Sequence, residues 1–556
     1  MKWTKKDELD TIEDVIVRNS GMSLDELKRA TDWNTTISNL RETADYLRHC
    51  AKERKRVAVF ADYDCDGICS AVIMHIILKS LGRIRFKIYF PKRKIGYGLQ
   101  RRYIEEMEEE FDVIITIDNG IAAFDGIEAA KEKGMEVVVI DHHLRSQEGI
   151  PNADIIVDPH VYKEAPDDFE DWCGAGLGYE LSKLLCDEKR QNVCLQFAAI
   201  ATVADVMPLT YNNRAIIKKG LELINNSFVK SIRYLVDEIS GLGKPHVDES
   251  TIGFRIGPII NAMGRIEDDA EYVYRYFISG EPEMLQHMIE INERRKELVS
   301  QAVERAQNIV IEECLIADVP KIIYDPKTLE GIVGVVAGRL VETYKTPVIC
   351  LTDSENEGVI KGSARSTDDI NMKETLDRVS EHLLHYGGHA GAAGLSLNVD
   401  ELDIIRNIFF DMFEDYEVKE TDEIFYDLEI DAENVPDVLN KLKEFAPYGE
   451  GNRPPVFKIN NFKCMPNNGK LFQIMGSDGR TLKLFGNKCS AVGFDSAEKF
   501  NSLNMPKIID IIGTISENNY GKTEPQIEIC DFEKKTVAKA QSELTKLCLD
   551  DILSGL

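Results

Sequence analysis

Residues 57–70 read VAVFADYDCDGICS. The apolar run Val57–Phe60 is followed by carboxylates at alternate positions, Asp62, Asp64 and Asp66, then by Gly67 and the apolar segment 68–81. That order predicts a buried strand, an acidic loop and a helix. Carboxylates this close repel one another unless positive charge lies between them, and a hard divalent cation with oxygen ligands is the usual counter-charge. D-x-D-x-D-G also opens the calcium loop of an EF-hand, but that loop needs a glutamate at its twelfth position, where this chain has Ile73, and a helix in front of it. A solvated acidic turn is the plain alternative.

Two further stretches repeat the pattern. Val113–Ile117 is a β-branched run ending in Asp118-Asn119-Gly120, and Val137–Ile140 is another, ending in Asp141-His142-His143. Helix-like segments separate the runs, so the expected architecture is α/β, built on a parallel sheet. Ligands of such sheets bind at the carboxyl ends of the strands, where all these clusters would fall.

A chain of 556 residues with 43% hydrophobic content has room for three or four globular domains. No apolar run reaches the length of a membrane span and the first residues, MKWTKKDELDTIEDV, lack the apolar core of a signal peptide, so a cytoplasmic protein is expected. Twelve cysteines contain no C-x-x-C pair, which points away from a zinc ribbon or a disulfide framework. Cys65 and Cys69 beside the acidic loop read as buried thiols. The net charge of −29 speaks against a nucleic-acid partner. Yet Arg83, Arg85, Lys87, Lys92, Arg93, Lys94, Arg101 and Arg102 follow one another without an intervening acid, a local basic patch unless they form a solvated face.

In chain order, residues 1–50 read as helices leading into the sheet and 51–225 as the first α/β domain. The glycine-rich Cys173–Gly178 there could admit a phosphate or simply allow tight packing. Within FAAIATVAD (197–205) the apolar run closes on Asp205, a metal ligand or a capping group. Residues 226–315 read as helical, with a long connecting helix between lobes, and 316–418 as a second α/β domain containing Gly362–Ser366 and the dense glycines of Tyr386–Gly394 around His389. Those glycines suit either close approach of an anion or a compact turn. Residues 422–535 alternate short β-rich runs with turns, the pattern of a small barrel of the OB kind, where Phe457, Phe472, Phe485 and Tyr520 are base-stacking platforms or core. An amphipathic helical tail is expected over 536–556.

The series DYDCDG, TIDNG, DHH and TVADVMPL, then NAMGR, GSARS and GGHAGAAG, resembles the DHH phosphoesterase superfamily with its DHHA1 companion domain, and within it the RecJ-type exonucleases. Pro91-Lys92-Arg93, Gly96-Tyr97-Gly98-Leu99 and PYGEGNRP (447–454) resemble further stretches of that type, the last at the start of the OB domain. The resemblance spans nearly the whole chain except the first segment and the tail.

That resemblance implies a two-metal exonuclease acting 5′-to-3′ on single-stranded DNA, in DNA repair and recombination, with two Mn2+ or Mg2+ ions. Asp64, Asp66, Asp118, His142 and Asp205 match the family's ligand positions, with Asp118 bridging the ions. Relatives carry a histidine where Phe60 stands, so Asp62 is expected to complete the first ion's shell. Asp141 and His143 would orient ligands or stabilise charge at the reacting phosphate. Arg265, Arg365 and His389 would grip phosphates, with Asn261, Ser363, Gly387 and Gly388 around them and Arg93 and Tyr97 contacting the strand. A monomer acting with a single-strand-binding protein and a helicase is the implied setting. One departure stands out: Lys327-Thr328-Leu329 replaces the family's Gly-Trp-His, removing any substrate contact made by that histidine. The other readings are a DHH/DHHA1 phosphodiesterase of cyclic dinucleotides or very short oligonucleotides, for which an OB domain is superfluous, and a binding module with a silent site, which the complete ligand series opposes.

Overall fold

The computed structural model describes residues 2–29 and 35–535, apart from 94, 97, 146–148, 167, 241–245, 417–422, 468, 477–478 and 519–523. Lys94, Tyr97, Asn468, Asp478, Tyr520 and the expected tail helix over 536–556 therefore lie outside the described residues.

Five strands form the first sheet: β1 (Arg56–Ala61), β2 (Arg85–Tyr89), β3 (Val113–Ile117), β4 (Glu136–Ile140) and β5 (Ile155–Val157), all parallel, in the order β2-β1-β3-β4-β5. Alternate side chains go to opposite faces. Val57, Val59, Ile115 and Ile117 join one core with helices α1 (Cys65–Leu81), α2 (Gly174–Leu185) and α3 (Glu188–Ala204). Ala58, Phe60, Ile114 and Val139 join the other with Leu99, Ile104 and Ile127. Both faces of β1, β3 and β4 are covered, which is why those three strands read as apolar runs, whereas the edge strand β2 is partly exposed and carries Arg85 and Lys87. From β1 the chain steps outward to β2 and then returns to the other side as β3, so the connections leaving β1 and β3 diverge. A crevice opens at the carboxyl ends of that pair. Asp62 and Asp118 stand directly beyond those two ends.

Helix α4 (Tyr211–Asn225) follows, then α5 (Gly257–Ile266), entered through a π-helical turn over Ile252–Ile256. The connecting helix α6 (Pro282–Glu312) is about 46 Å long at 1.5 Å per residue. Met284, Met288 and Ile291 near its start lie in the first domain's core, whereas Val299, Ala302, Ala306 and Val310 pack against Ile332, Val336 and Leu340 of α7 (Glu330–Tyr344). The second α/β domain carries α7 and a five-stranded mixed sheet in the order 385–388, 392–398, 359–365, 348–353, 321–324. The last domain is a seven-stranded sheet in the order 428–431, 457–463, 508–518, 524–534, 490–493, 481–485, 472–475.

Residues 1–50 do not all lead into the first sheet. Lys2–Lys5 is a strand paired in parallel with Glu423–Tyr426, and Ile12, Val15, Ile16, Met22 and Leu27 share one core with Leu428, Phe457 and Ile511 of the last domain. The part of residues 1–50 that packs into the first domain's core is Ile37 and the helix Leu40–Glu53, through Leu40, Ala44, Leu47 and Cys50. Arg214 of α4 ties these parts together. It is 1% exposed, and its guanidinium donates to the carbonyls of Leu27 (3.0 Å), Pro447 (3.1 Å), Phe445 (2.8 Å) and Ala446 (3.0 Å). Burial lowers its pKa to about 10.

Two alternatives left open by the sequence are narrowed here. The basic run over 83–103 is neutralised in part: Lys87 pairs with Glu109, Arg101 with Asp125, Glu128 and Glu132, and Arg102 with Glu106. Those acids come from neighbouring elements, so the run's composition alone did not reveal them. Phe457 is fully buried core, not a stacking platform, while Phe472 packs on Phe500 at 5.3 Å between ring centroids.

Candidate active site

The acidic loop is built by helix capping and close packing. Asp64 is the N-cap of α1, its Oδ1 accepting from the backbone N–H of Asp66 (3.0 Å) and Gly67 (3.1 Å). A Cβ at Gly67 would stand 2.6 Å from Asp62 Cα, so glycine lets the first turn of α1 press against the loop. Asp66 points the other way and caps α2, accepting from Gly174 N–H (2.6 Å) and Ala175 N–H (2.8 Å). The glycine-rich Cys173–Gly178 thus offers its first amides to Asp66, and a Cβ on Gly174 would meet Asp118 Cβ at 2.7 Å. Tight packing is what those glycines serve.

Asp118 has φ +60°, a left-handed conformation that few side chains adopt without strain. Among the described residues, two of the three side-chain groups that could hold a cation contain it: Asp62 with Asp64 and Asp118, and Asp118 with His142 and His143. The third is Asp66 with His142 and Asp205. Within each group the ligand atoms lie within 4.8 Å of one another. His142 Nε2 is 3.0 Å from Asp118 Oδ1, 3.7 Å from Asp66 Oδ2 and 3.8 Å from Asp205 Oδ2, so the groups are contiguous. The structure brings together all six acids and imidazoles named from the sequence as candidate metal ligands.

Electrostatics follow from burial. Asp62 and Asp118 are pushed well above the carboxylate range by desolvation and then by their acidic neighbours, and Asp205 is raised to about 8 for the same reasons. Asp62 Oδ1 is buried and meets no hydrogen-bond donor among the described residues. His142 is lowered by burial and by the charge of His143, which keeps its imidazole neutral and able to ligate.

Asp141 sits differently. Its Oδ1 accepts from His142 N–H (2.8 Å), from His143 N–H (3.2 Å) and from His143 Nδ1 (2.7 Å), while Oδ2 accepts from Ile121 N–H (2.8 Å). Burial alone would raise Asp141, yet these bonds hold it below its ordinary value. His143 is opposed by burial, but the bond to Asp141 and the charges of Asp141, Asp62 and Asp205 lift it to about 9. Asp141 therefore orients the His143 ring and holds the backbone at His142, and His143 stays protonated at neutral pH.

Cationic groups line the far side of the loop. The Arg93 guanidinium lies 3.8 Å from the Tyr63 ring centroid and its Nε donates to Gly264 O (3.1 Å). Arg265 at the end of α5 donates to Gly331 O (3.1 Å), and a Cβ on Gly331 would collide with the Arg265 carbonyl, so α5 and α7 meet end to end. Burial and the charge of Arg93 lower Arg265 to about 10, while Asp64 pulls the other way. One turn along α7, Gly334 leaves room for Arg365, whose Nη1 donates to Ser363 Oγ (2.6 Å) and Ala364 O (2.8 Å). Asn261 on α5 keeps a buried Oδ1 that no described donor reaches. Ser363 pairs in the sheet with Gly394, itself opposite Gly387, and Gly388 and His389 close an exposed hairpin beside Arg365. Leu329, where the family histidine would stand, is 43% exposed at the start of α7.

Sequence reading overlooked Tyr63, the platform under Arg93, and Asp158, which follows β5. Asp158 is 1% exposed, its Oδ2 has no described donor, and burial with the nearby Asp141 charge raises it to about 7. The signal was present as Val157-Asp158, an acid at the carboxyl end of one more apolar run.

Comparison with known proteins agrees with this geometry. Residues 56–204 match the DHH family, N-terminal domain; 312–415 match the DHHA1 domain; 426–531 match the RecJ OB domain. The single-stranded-DNA-specific exonuclease RecJ of Bacillus subtilis is 30% identical over 512 residues, 89% of this chain and 63% of that protein. The chain thus spans under two thirds of that relative's length. RecJ of Haemophilus influenzae is 29% identical over 76% of this chain and 77% of its own. The crystal structure of RecJ in complex with Mn2+ from Thermus thermophilus superposes with a TM-score of 0.75 at 25% identity, covering 94% of this chain and 76% of that one. Five-stranded parallel sheet, second α/β domain and terminal β domain all fall within these matches: the chain carries a DHH family N-terminal domain, a DHHA1 domain and a RecJ OB domain, in that order.

Proposed function

We propose that this chain is a divalent-cation-dependent exonuclease that hydrolyses phosphodiester bonds of single-stranded DNA from the 5′ end, in repair and recombination. The observation that carries the reading is the position of Asp118, within reach of Asp62 and Asp64 on one side and of His142 on the other. The side chains suit a pair of hard cations. Among the described residues Asp62 Oδ1 is buried without a donor, and the burial and mutual repulsion that lift Asp62, Asp118 and Asp205 are offset by positive charge between them. Asp62, Asp64 and Asp118 would hold one ion, and Asp66, His142 and Asp205 the other, with Asp118 shared. Two crystal structures of RecJ from Thermus thermophilus are complexes with Mn2+ and with Mg2+, and the same ions are proposed here. Bound there, such ions would neutralise phosphate charge and lower the pKa of an attacking water.

The chain's own groups do the positioning. Arg265, Arg93 and Arg365 stand across the crevice as cationic hydrogen-bond donors for phosphate oxygens, with Asn261, Ser363 and the Gly387–His389 hairpin beside them. Protonated His143, fixed through Nδ1 by Asp141, leaves its Nε2–H to donate toward charge developing on the phosphate. The relatives named RecJ act on single-stranded DNA, and the last domain gives a long strand somewhere to lie. A single-strand-binding protein and a helicase that exposes the strand are the partners such an activity calls for, with the enzyme a cytoplasmic monomer; among the described residues no helix is long and apolar enough to cross a membrane.

The test is digestion, with Mn2+ present, of single strands labelled at either end, of a duplex and of a cyclic dinucleotide. Loss of the single strand from its 5′ end supports the proposal. Cleavage confined to the dinucleotide would overturn it.

A further inference from the structure

A track of side chains leads away from the arginine cluster. The turn Ile252–Ile256 runs without a break into α5. Along this combined helix Ile252, Ile256, Ile259, Ile260, Ala262 and Met263 are buried, whereas Phe254 is exposed and Pro258, Asn261 and Arg265 are half-buried. Steps of four, three and four residues place those four side chains on one helix face. Arg265 ends the row at the candidate phosphate site, and Asn261, next along, keeps its unpartnered Oδ1. At 1.5 Å per residue, Phe254 lies about 16 Å from Arg265 along the axis.

Phe254 opens into a cavity of about 490 Å³ between this helix and the sheet of the last domain. It is 83% exposed, and Phe494, which lines the opposite wall, is 66% exposed. Two phenyl rings presented to water in one concave site mark a surface that something apolar covers. Asn518, Gln526 and Ser516 supply hydrogen-bonding groups from the sheet side. The remaining charge is unfriendly to phosphate, because Asp248, Glu517 and Glu528 line the cavity as well as Arg255. A flat, uncharged ring with donors and acceptors at its edge fits all of these features; a phosphate does not.

We infer that the cavity is a base-binding subsite, taking one unstacked nucleobase of a single strand whose reacting linkage lies at the cation site, with Phe254 and Phe494 as the stacking faces. The inference rests on the proposed nuclease reading and adds a place where a strand is held beyond the reacting linkage. At 3.4 Å per nucleotide or more along a strand, 16 Å corresponds to at most about five nucleotides, so only strands longer than that reach the cavity. Stacking is indifferent to base identity, which suits an enzyme that must process any sequence.

The experiment measures, without added divalent cation, the affinity of the full chain for fluorescently labelled strands shorter and longer than this reach. Wild-type protein should bind the longer strand more tightly. In Phe254→Ala and in Phe494→Ala that length-dependent gain should fall about tenfold, while Phe254→Trp restores it. Since both phenyls are exposed, unchanged thermal melting shows that the variants are folded. An unchanged gain in both alanine variants would overturn the subsite, and so would an equal loss on short and long strands. Digestion by wild-type protein in Mn2+ separates the two questions: if strands are degraded while the alanine variants keep the gain, the nuclease reading stands and the subsite alone falls.

Discussion

His142 Nε2 lies 3.0 Å from Asp118 Oδ1, and that contact joins the two clusters of candidate cation ligands into one site. Asp118→Asn keeps the shape but removes the charge that both clusters share. The expected outcome is a loss of hydrolysis larger than the ~10- to 100-fold that supporting residues of metal sites cost, together with loss of the thermal stabilisation that Mn2+ confers. The ion-free variant should melt no lower than wild type, since a buried, repelled carboxyl is removed. Steady-state kinetics and melting with and without Mn2+ check both halves.

Asp141→Asn tests orientation. All of its described side-chain hydrogen bonds are to His142, His143 and Ile121, so the substitution should leave the fold intact, lower the His143 pKa from about 9 and reduce turnover by ~10- to 100-fold. NMR titration of the histidines reads the first effect directly.

Asp205 sets the expected pH dependence. Its folded pKa of about 8 stands above the ~3.9 of an unfolded aspartate, so the folded chain keeps a proton that the unfolded chain releases. This contribution to stability is complete below pH ~4 and is lost as pH rises to about 8. Divalent cations displace the proton, so the rise in Tm produced by Mn2+ should be larger at pH 8 than at pH 6. Asp205→Asn should reduce that difference.

Arg214→Met should destabilise the chain by ~3 kcal/mol or more, because several buried carbonyls lose a charged donor at once. Arg214→Lys should recover only part of this, since an ammonium cannot match the guanidinium fork. Chemical denaturation gives the difference, and limited proteolysis should show residues 2–29 released first.

Truncation should follow the core and not the order of the chain. Removing everything after residue 422 strips Ile12, Val15 and Ile16 of their partners, so that truncated chain should expose apolar surface and aggregate. Removing residues 2–29 as well should give a better-behaved protein, still exposed around Arg214, that turns over short strands better than it binds long ones. Light scattering and strand binding compare the two.

Three strands of the first sheet were legible because they are buried apolar runs, and the chemistry sits where those runs stop: Ala61 before Asp62, Ile117 before Asp118, Ile140 before Asp141; the edge strand Arg85–Tyr89, partly exposed and carrying Arg85 and Lys87, read only as part of a basic run. Asp158 escaped notice because its strand is only three residues long and ends in a solitary acid. The pairing of Lys2–Lys5 with Glu423–Tyr426 joins four-residue segments far apart in the chain, and no local periodicity records it. The same holds for Arg101, whose carboxylates belong to another helix. The split role of the acidic loop, with Asp64 capping α1 and Asp66 capping α2, also needed coordinates, because the second helix begins 108 residues later.

The most direct test is a crystal of this chain soaked in Mn2+ and measured for anomalous scattering. The account predicts two peaks in the crevice beyond β1 and β3, one against Asp62 and Asp64, one against Asp66, His142 and Asp205, and Asp118 touching both. Peaks absent from the crevice, or a single ion that leaves Asp118 unligated, would contradict it.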